Sequence, residues 1–400
     1  MSGKCLARFT CVIAFLAAAT SLWAAAPALP NLVGSWEGEH AEANADGRLP
    51  MHFRLEIHRQ EGALLWATDV WTPKDLQTGQ LSSESRQDPM LGSLNGAGTS
   101  GVLVKEGAQV SFRILDQDRL EAEFINVRDI GGFPPTAFYA TLVRTGQPPA
   151  PPMGKIPQLA GPWRGQYRYA LLDGGYESDF ELDVFRQDRE LLWADDVWRP
   201  ADAANANGLK AGESRRQRML GSLSPGGDRG IMAKEYGIYS FKIIKKDLIE
   251  VEFVQMANTI ADCAAFHAVL QRGRLHPLKS AKHLPNLVGK WAGECRYPMA
   301  EGPRSKPVQL EITRQDGQLI WGENPWQAFD PATGQPAGPL RRDPLVGSLH
   351  ASGRSGVLAK PGARFAFRVL DPGHLEVQFV RVLNDGQPPL AFYATFKRVQ

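Results

Sequence analysis

The chain has 400 residues, 43% apolar and 22% charged, with a formal net charge of +2. This is a globular composition rather than a disordered one, and the length suits two to four domains. A near-neutral balance lowers the nucleic-acid-binding class, which normally shows a basic excess.

The first 28 residues read as a secretory signal peptide. Lys4 and Arg8 form a basic start, and "FTCVIAFLAAATSLWAAA" is an apolar stretch running into small residues, too short and wrongly flanked for a membrane span. Pro27 disfavours cleavage after Ala26, so cleavage is expected after Ala28. The residues before Cys5 and Cys11 do not fit a lipoprotein signal. Removing 1–28 takes two of the 45 basic residues and none of the 43 acidic ones, which balances the charges. Two cysteines then remain, Cys263 and Cys295. Export permits a disulfide between them, and a pair of free thiols is equally compatible. No later apolar run could cross a bilayer. The expectation is a periplasmic or secreted protein that does not span the membrane.

Beyond the signal, period-two patterns dominate. "HFRLEIHR" sets Phe53, Leu55 and Ile57 against His52, Arg54 and Glu56. "VSFRIL", "LEAEF" and "AFYATLVR" alternate in the same way. Such alternation between turn residues marks half-buried antiparallel strands. Eight are expected, near 33–40, 51–59, 64–71, 90–95, 101–105, 109–115, 119–126 and 137–144.

The same unit then returns twice. "RQEGALLWATDVW" (59–71) recurs as "RQDRELLWADDVW" (186–198) and "RQDGQLIWGENPW" (314–326). Trp36, Trp163 and Trp291 keep the same offsets, as do "MLGSL", "MLGSL" and "LVGSL". The linkers "TGQPPAPPMGKIPQ" (145–158) and "GRLHPLKSAKH" (273–283) separate the copies. Units of this size can each bury a core, so three tandem domains are expected, at 29–145, 157–273 and 284–400, rather than a solenoid. An eight-stranded meander with one apolar face removes its edges by closing. The fold class is therefore all-β: three tandem eight-stranded antiparallel up-and-down β-barrels.

Each copy opens with Gly-x-Trp in "NLVGSWEGE", "QLAGPWRGQ" or "NLVGKWAGE", and closes on an aromatic-rich strand ending in Arg144, Arg272 or Arg398. This pairing resembles the calycin barrels, the lipocalins and more distantly the avidins. The resemblance implies that the tryptophan plugs a closed barrel end and the arginine packs across it. The chain departs from lipocalins in lacking both a C-terminal helix and the lipocalin disulfide pattern.

Loop lengths orient the barrel. The connections after even-numbered strands are short. Those after odd-numbered strands include "TPKDLQTGQLSSESRQDP" (72–89), and a loop this long is often functional. The long loops mark an open mouth. Arg59 is expected at the opposite, closed end, either as an anion site or, by preference, as a plug stacked on Trp36. Trp66, Trp193 and Trp321 face outward, where contact with a linker or a neighbouring copy is preferred over a partner-binding role.

On strand three, Asp69 and Trp71 point inward towards the mouth, as do Asp196 and Trp198, and Asn324 and Trp326. Arg86, Arg215 and Arg341 enter strand four there. Lys105, Lys234 and Lys360 end strand five there with ambiguous facing. A carboxylate or amide, a flat ring and cations in an apolar wall suit one small ligand. The alternative is an Asp–Arg pair that tethers the long loop beneath a tryptophan lid.

"GAGTSG" lies between strands with no helix after it, so it is a hairpin turn and not a dinucleotide loop. No histidine recurs among the copies, no metal spacing is present, and no nucleophile or paired carboxylate recurs. Glu121, Glu250 and Glu376 recur but are expected on a solvated face. The expected function is a non-enzymatic binding protein without cofactor or metal. Each barrel would hold a small, partly apolar ligand, with Asn324 and Pro325 making the third copy the most doubtful. The alternative is a structural or protein-interaction module of the cell envelope.

Overall fold

The computed structural model describes residues 29–399 apart from 45–46, 76–77, 79, 130–133, 151–153, 199–213, 279–282, 330–335 and 384–387. The expected signal segment lies outside the described residues. Three closed barrels of eight antiparallel strands follow one another along the chain. The first comprises β1 (Gly34–Ala43), β2 (Arg48–Glu61), β3 (Leu64–Pro73), β4 (Arg86–Leu94), β5 (Ser100–Lys105), β6 (Ala108–Asp116), β7 (Arg119–Asn126) and β8 (Thr136–Arg144).

The second comprises β9 (Gly161–Leu171), β10 (Gly174–Asp188), β11 (Leu191–Trp198), β12 (Arg215–Leu223), β13 (Arg229–Lys234), β14 (Gly237–Lys245), β15 (Leu248–Gln255) and β16 (Ala264–Arg272). A short β17 (Leu275–His276) adds to it in parallel beside β9. The third comprises β18 (Gly289–Met299), β19 (Gly302–Asp316), β20 (Leu319–Phe329), β21 (Pro336–Leu349), β22 (Ser355–Lys360), β23 (Ala363–Asp371), β24 (His374–Arg381) and β25 (Leu390–Val399). No α-helix occurs among the described residues.

The Gly-x-Trp-x-Gly opening closes each barrel. Gly34 has φ +135°, which tolerates no side chain comfortably. Trp36 is fully buried, and its indole N–H donates to Leu32 O at 2.9 Å. Gly38 lets β1 approach β8 so closely that a Cβ there would overlap Thr141 O. Arg144 stacks 4.2 Å from the Trp36 ring and donates to Val33 O and Asn31 O. Arg272 on Trp163 and Arg398 on Trp291 repeat the arrangement at 4.4 and 4.6 Å.

Arg59 is not part of this floor. A β-bulge between Ile57 and Arg59 shifts the register of β2 against β3 and turns the arginine outward. It lies 4.4 Å over Trp66 on the outer surface. The neighbouring Gln60 faces the floor instead, accepting from Leu32 N and donating to Pro30 O. Bulges at Val184/Arg186 and Ile312/Arg314 do the same in the other copies.

The outward tryptophans join the barrels into a ring. Trp66 N–H donates to Met299 O of the third barrel at 2.7 Å. Trp193 N–H donates to Asn44 O of the first at 2.7 Å, and Trp321 N–H to Leu171 O of the second at 2.6 Å. Each barrel thus grips the tip of the first hairpin of another, and the three grips form a cycle. A second cycle uses backbone alone: Gly107 N to Val382 O, Tyr236 N to Val127 O and Gly362 N to Ala257 O. Head-to-tail contacts that close in this way make a ring rather than a filament. One apolar cluster draws on all three barrels, including Val104, Val127, Ile231, Met256, Val357 and Val382.

Polar bridges line the same junctions. Glu121 of the first barrel pairs with Arg229 of the second, so this glutamate, expected in solvent, is buried. Glu250 of the second barrel meets His350 of the third at 2.7 Å. Cys263 and Cys295 are buried free thiols, pushed by burial up to about 12 and about 11.

Two outcomes follow. Trp66→Ala removes a buried indole and the tryptophan latch between the two barrels that are not consecutive in sequence, which costs roughly 3–5 kcal/mol. Small-angle scattering should show expansion for Trp66→Ala and less for Trp193→Ala, whose barrels stay tethered. Unchanged radius and melting temperature for both would contradict the latch. Second, the Glu250 hydrogen bond raises the pKa of His350 above its ordinary 6.5, while Glu250 is held below its ordinary 4.5. The histidine's contribution is complete below pH 6.5 and fades as pH rises through its raised value. Glu250 is ionised throughout that window. Melting temperature should therefore fall across it in the wild type, with a shallower fall in His350→Gln.

Candidate functional site

Strand pairing brings the mouth residues together. In the first barrel Asp69 lies opposite Asp88, and Trp71 opposite Arg86. Lys105, at the end of β5, turns inward between these strands. Its Nζ lies 2.6 Å from Asp69 Oδ2 and 2.8 Å from Asp88 Oδ2. Trp71 N–H donates to Asp69 Oδ2 at 2.7 Å. Asp69 is fully buried, and its Oδ1 has no hydrogen-bond partner. Burial pushes the Asp69 carboxyl above its ordinary range despite Lys105 and Trp71. Burial also acts on Asp88, but the bonds from Lys105 and Arg86 outweigh it and hold that carboxyl low.

In place of the alternative Asp–Arg tether there is an Asp–Lys–Asp bridge, with Arg86 at the rim against Asp88 at 3.1 Å. Below it the barrel is filled. Trp71 stacks on Phe53 at 4.3 Å, His40 on Phe138 at 3.9 Å, and Phe124 on Phe138 at 5.0 Å. Open space starts at Trp71. A cavity of about 310 Å³ is lined there by Met51, Trp71, Arg86, Lys105, Phe124 and Asn126 among others.

The second barrel keeps the lysine and changes its surroundings. Lys234 Nζ lies 2.5 Å from Asp196 Oδ2 and donates to Gln217 Oε1 at 2.8 Å. Tyr239, on β14, donates its hydroxyl to Asp196 Oδ2 at 2.6 Å, the role that Trp71 has in the first barrel. Burial and then Asp196 push the Tyr239 hydroxyl well above its ordinary value. Trp198 is released from the carboxylate and lines the mouth with Arg215. The cavity here is about 550 Å³, walled by Tyr167, Tyr169, Phe180, Tyr239, Phe253 and Phe266.

In the third barrel Lys360 lies 3.1 Å from Asn324 Oδ1 and 2.5 Å from Asp343 Oδ2. Trp326 N–H donates to Asp343 Oδ2 at 2.7 Å, and Arg341 lies 5.2 Å over the Trp326 ring. The cavity is about 210 Å³, the smallest of the three mouths.

All twelve residues singled out in the sequence therefore gather at three mouths. Asp69 and Asp196 lie beneath the open space, where they hold the lysine. Sequence reasoning missed Asp88, Gln217, Asp343 and Tyr239. The first three were signalled by their fixed place two residues after Arg86, Arg215 and Arg341. Tyr239 had no signal, because Val110 fills that position in the first copy. No group of side chains that could hold a metal is found among the described residues.

No family model matches the chain, and no curated protein matches it. Solved structures do match it, among them the two that follow. A protein of unknown function from the DUF3598 family of Nostoc punctiforme shares 13% identity, with 60% of this chain and 96% of that one covered, at a TM-score of 0.24. The isotype 1 transferrin binding protein B from serogroup B Neisseria meningitidis shares 9%, with 88% and 66% covered, at 0.20. At these scores neither likeness carries an argument about function. The class of protein is defined by the fold itself, as three closed eight-stranded barrels in tandem.

Replacing Lys105 with Met leaves Asp69 buried without its cation. This should cost about 3–5 kcal/mol in denaturant unfolding, and adding Asp69→Asn should recover part of the loss.

Proposed function

We propose that the chain is an exported, non-enzymatic binding protein of calycin-like barrels, secreted or periplasmic, whose mouths hold small, partly apolar ligands. The cavity of about 550 Å³ in the second barrel carries this reading, being walled by aromatic rings with Lys234 at its base. Ligand sites combine an apolar wall with a few converging polar groups. Trp71, Trp198 and Trp326 supply a ring face at each mouth. Arg86, Arg215 and Arg341 at the rim and the three lysines meet a polar or anionic end. Asp69, Asp196 and Asn324 act through the lysines by fixing where each ammonium points.

The aromatic stack that fills the lower first barrel favours a second reading, a structural or protein-interaction module of the envelope with filled barrels. Against it, the outward tryptophans that would serve a partner are used within the ring. Native mass spectrometry of protein purified from its own host separates the two. Co-purifying small molecules that are lost in Trp198→Ala or Trp71→Ala support the binding reading. A bare mass that captures envelope proteins instead supports the second.

A further inference from the structure

The three mouths have diverged in charge while keeping their geometry. Six positions matched by strand register show this. The first mouth has Met51, Asp69, Arg86, Asp88, Lys105 and Asn126, a formal charge of zero. The second has Ser178, Asp196, Arg215, Gln217, Lys234 and Gln255, a charge of +1. The third has Lys306, Asn324, Arg341, Asp343, Lys360 and Arg381, a charge of +3. All six of the last set line the third cavity.

From this convergence we infer that the third mouth is an anion site, taking a small oxyanion with two negative charges. The inference rests on the ligand-binding reading above and assigns a ligand class to one of its mouths. Among the described residues lining the cavity, Asp343 is the only carboxylate, against four cations. Its Oδ2 already serves both Lys360 and Trp326. Lys306 lies 5.1 Å over the Tyr297 ring, and no carboxylate reaches it in an ion pair among the described residues. Clustered cations in a partly enclosed space repel one another, and a dianion that fits among them relieves that repulsion while accepting charge-assisted hydrogen bonds. The space is small, so the ligand is small. Ile260, from the β15–β16 connection of the second barrel, forms part of the wall, so the site is completed by a neighbour.

The test is calorimetric titration of the full mature chain with inorganic phosphate and with malonate, beside fluorescence titration with the neutral apolar probe N-phenyl-1-naphthylamine. One phosphate or malonate per chain is expected, weakened at least about tenfold by Lys306→Met or Arg381→Asn. Both substitutions install the residue that the first barrel carries at the same register. Whichever oxyanion binds more tightly distinguishes a phosphate from a carboxylate ligand, and either supports the inference. Should a variant fail to fold, the wild-type protein still decides. Lys306 is held below the ordinary lysine value by burial, so anion binding in alkaline buffers should take up a proton, read from heats measured in buffers of different ionisation enthalpy. Three anions per chain, binding indifferent to both substitutions, or no proton uptake would overturn the inference. Uptake of the naphthylamine without either anion overturns it while leaving the wider binding reading intact. Binding of neither probe counts against both.

Discussion

One extra residue in the second strand of each barrel determines how the molecule is assembled. Without the bulges after Ile57, Val184 and Ile312, strand alternation would carry Arg59, Arg186 and Arg314 into the barrel floor. With them, each guanidinium lies over an outward indole at 4.3–4.4 Å. Each arginine stays exposed and covers one face of a buried indole, whose N–H is left to donate. A hairpin tip from another barrel accepts it. Such a donor, buried and bonded, stabilises modestly but is costly to orphan, so the latch acts mainly on specificity: it selects which hairpin docks and at what register.

The ring explains burial that no single barrel accounts for. β5 buries four consecutive residues and β22 five, on both faces, because one face lines a barrel and the other meets the central cluster. It also explains why recurrent glutamates on the outer faces of β7 and β15 have partners. Glu121 meets an arginine and Glu250 a histidine, both from the next barrel. Charges at such a junction are tolerable only when paired.

Much of this was legible in the sequence. The eight strands, the closure, the position of the mouths and the floor tryptophan with its arginine all follow from period-two patterning and from a short motif repeated three times. The bulge was not legible, since one inserted residue reverses facing without changing composition, and that is why Arg59 reads as inward. The ring was visible only in part. "GVLVK", "GIMAK" and "GVLAK" are unbroken apolar runs rather than alternations, which marks burial on both faces. What covers the outer face is a long-range matter that spacing along one chain does not specify. The Asp–Lys bridge was hidden for a similar reason: the two residues come from non-adjacent strands, β3 and β5, joined only through the intervening β4.

The mouths and the ring are not independent. Lys105, Lys234 and Lys360 each stand two residues before the backbone N–H that docks on another barrel, at Gly107, Tyr236 and Gly362. The turn that aims the lysine at the cavity is therefore the turn that the ring clamps. An ammonium on a long side chain has wide rotamer freedom, and holding it between two acids or an acid and an amide requires that its backbone be fixed first. Fixing that turn from outside leaves the mouth itself open, which a tether crossing the cavity would not do. Tandem duplication thus gives each barrel a rigid site that one barrel alone would have to build from its own loops.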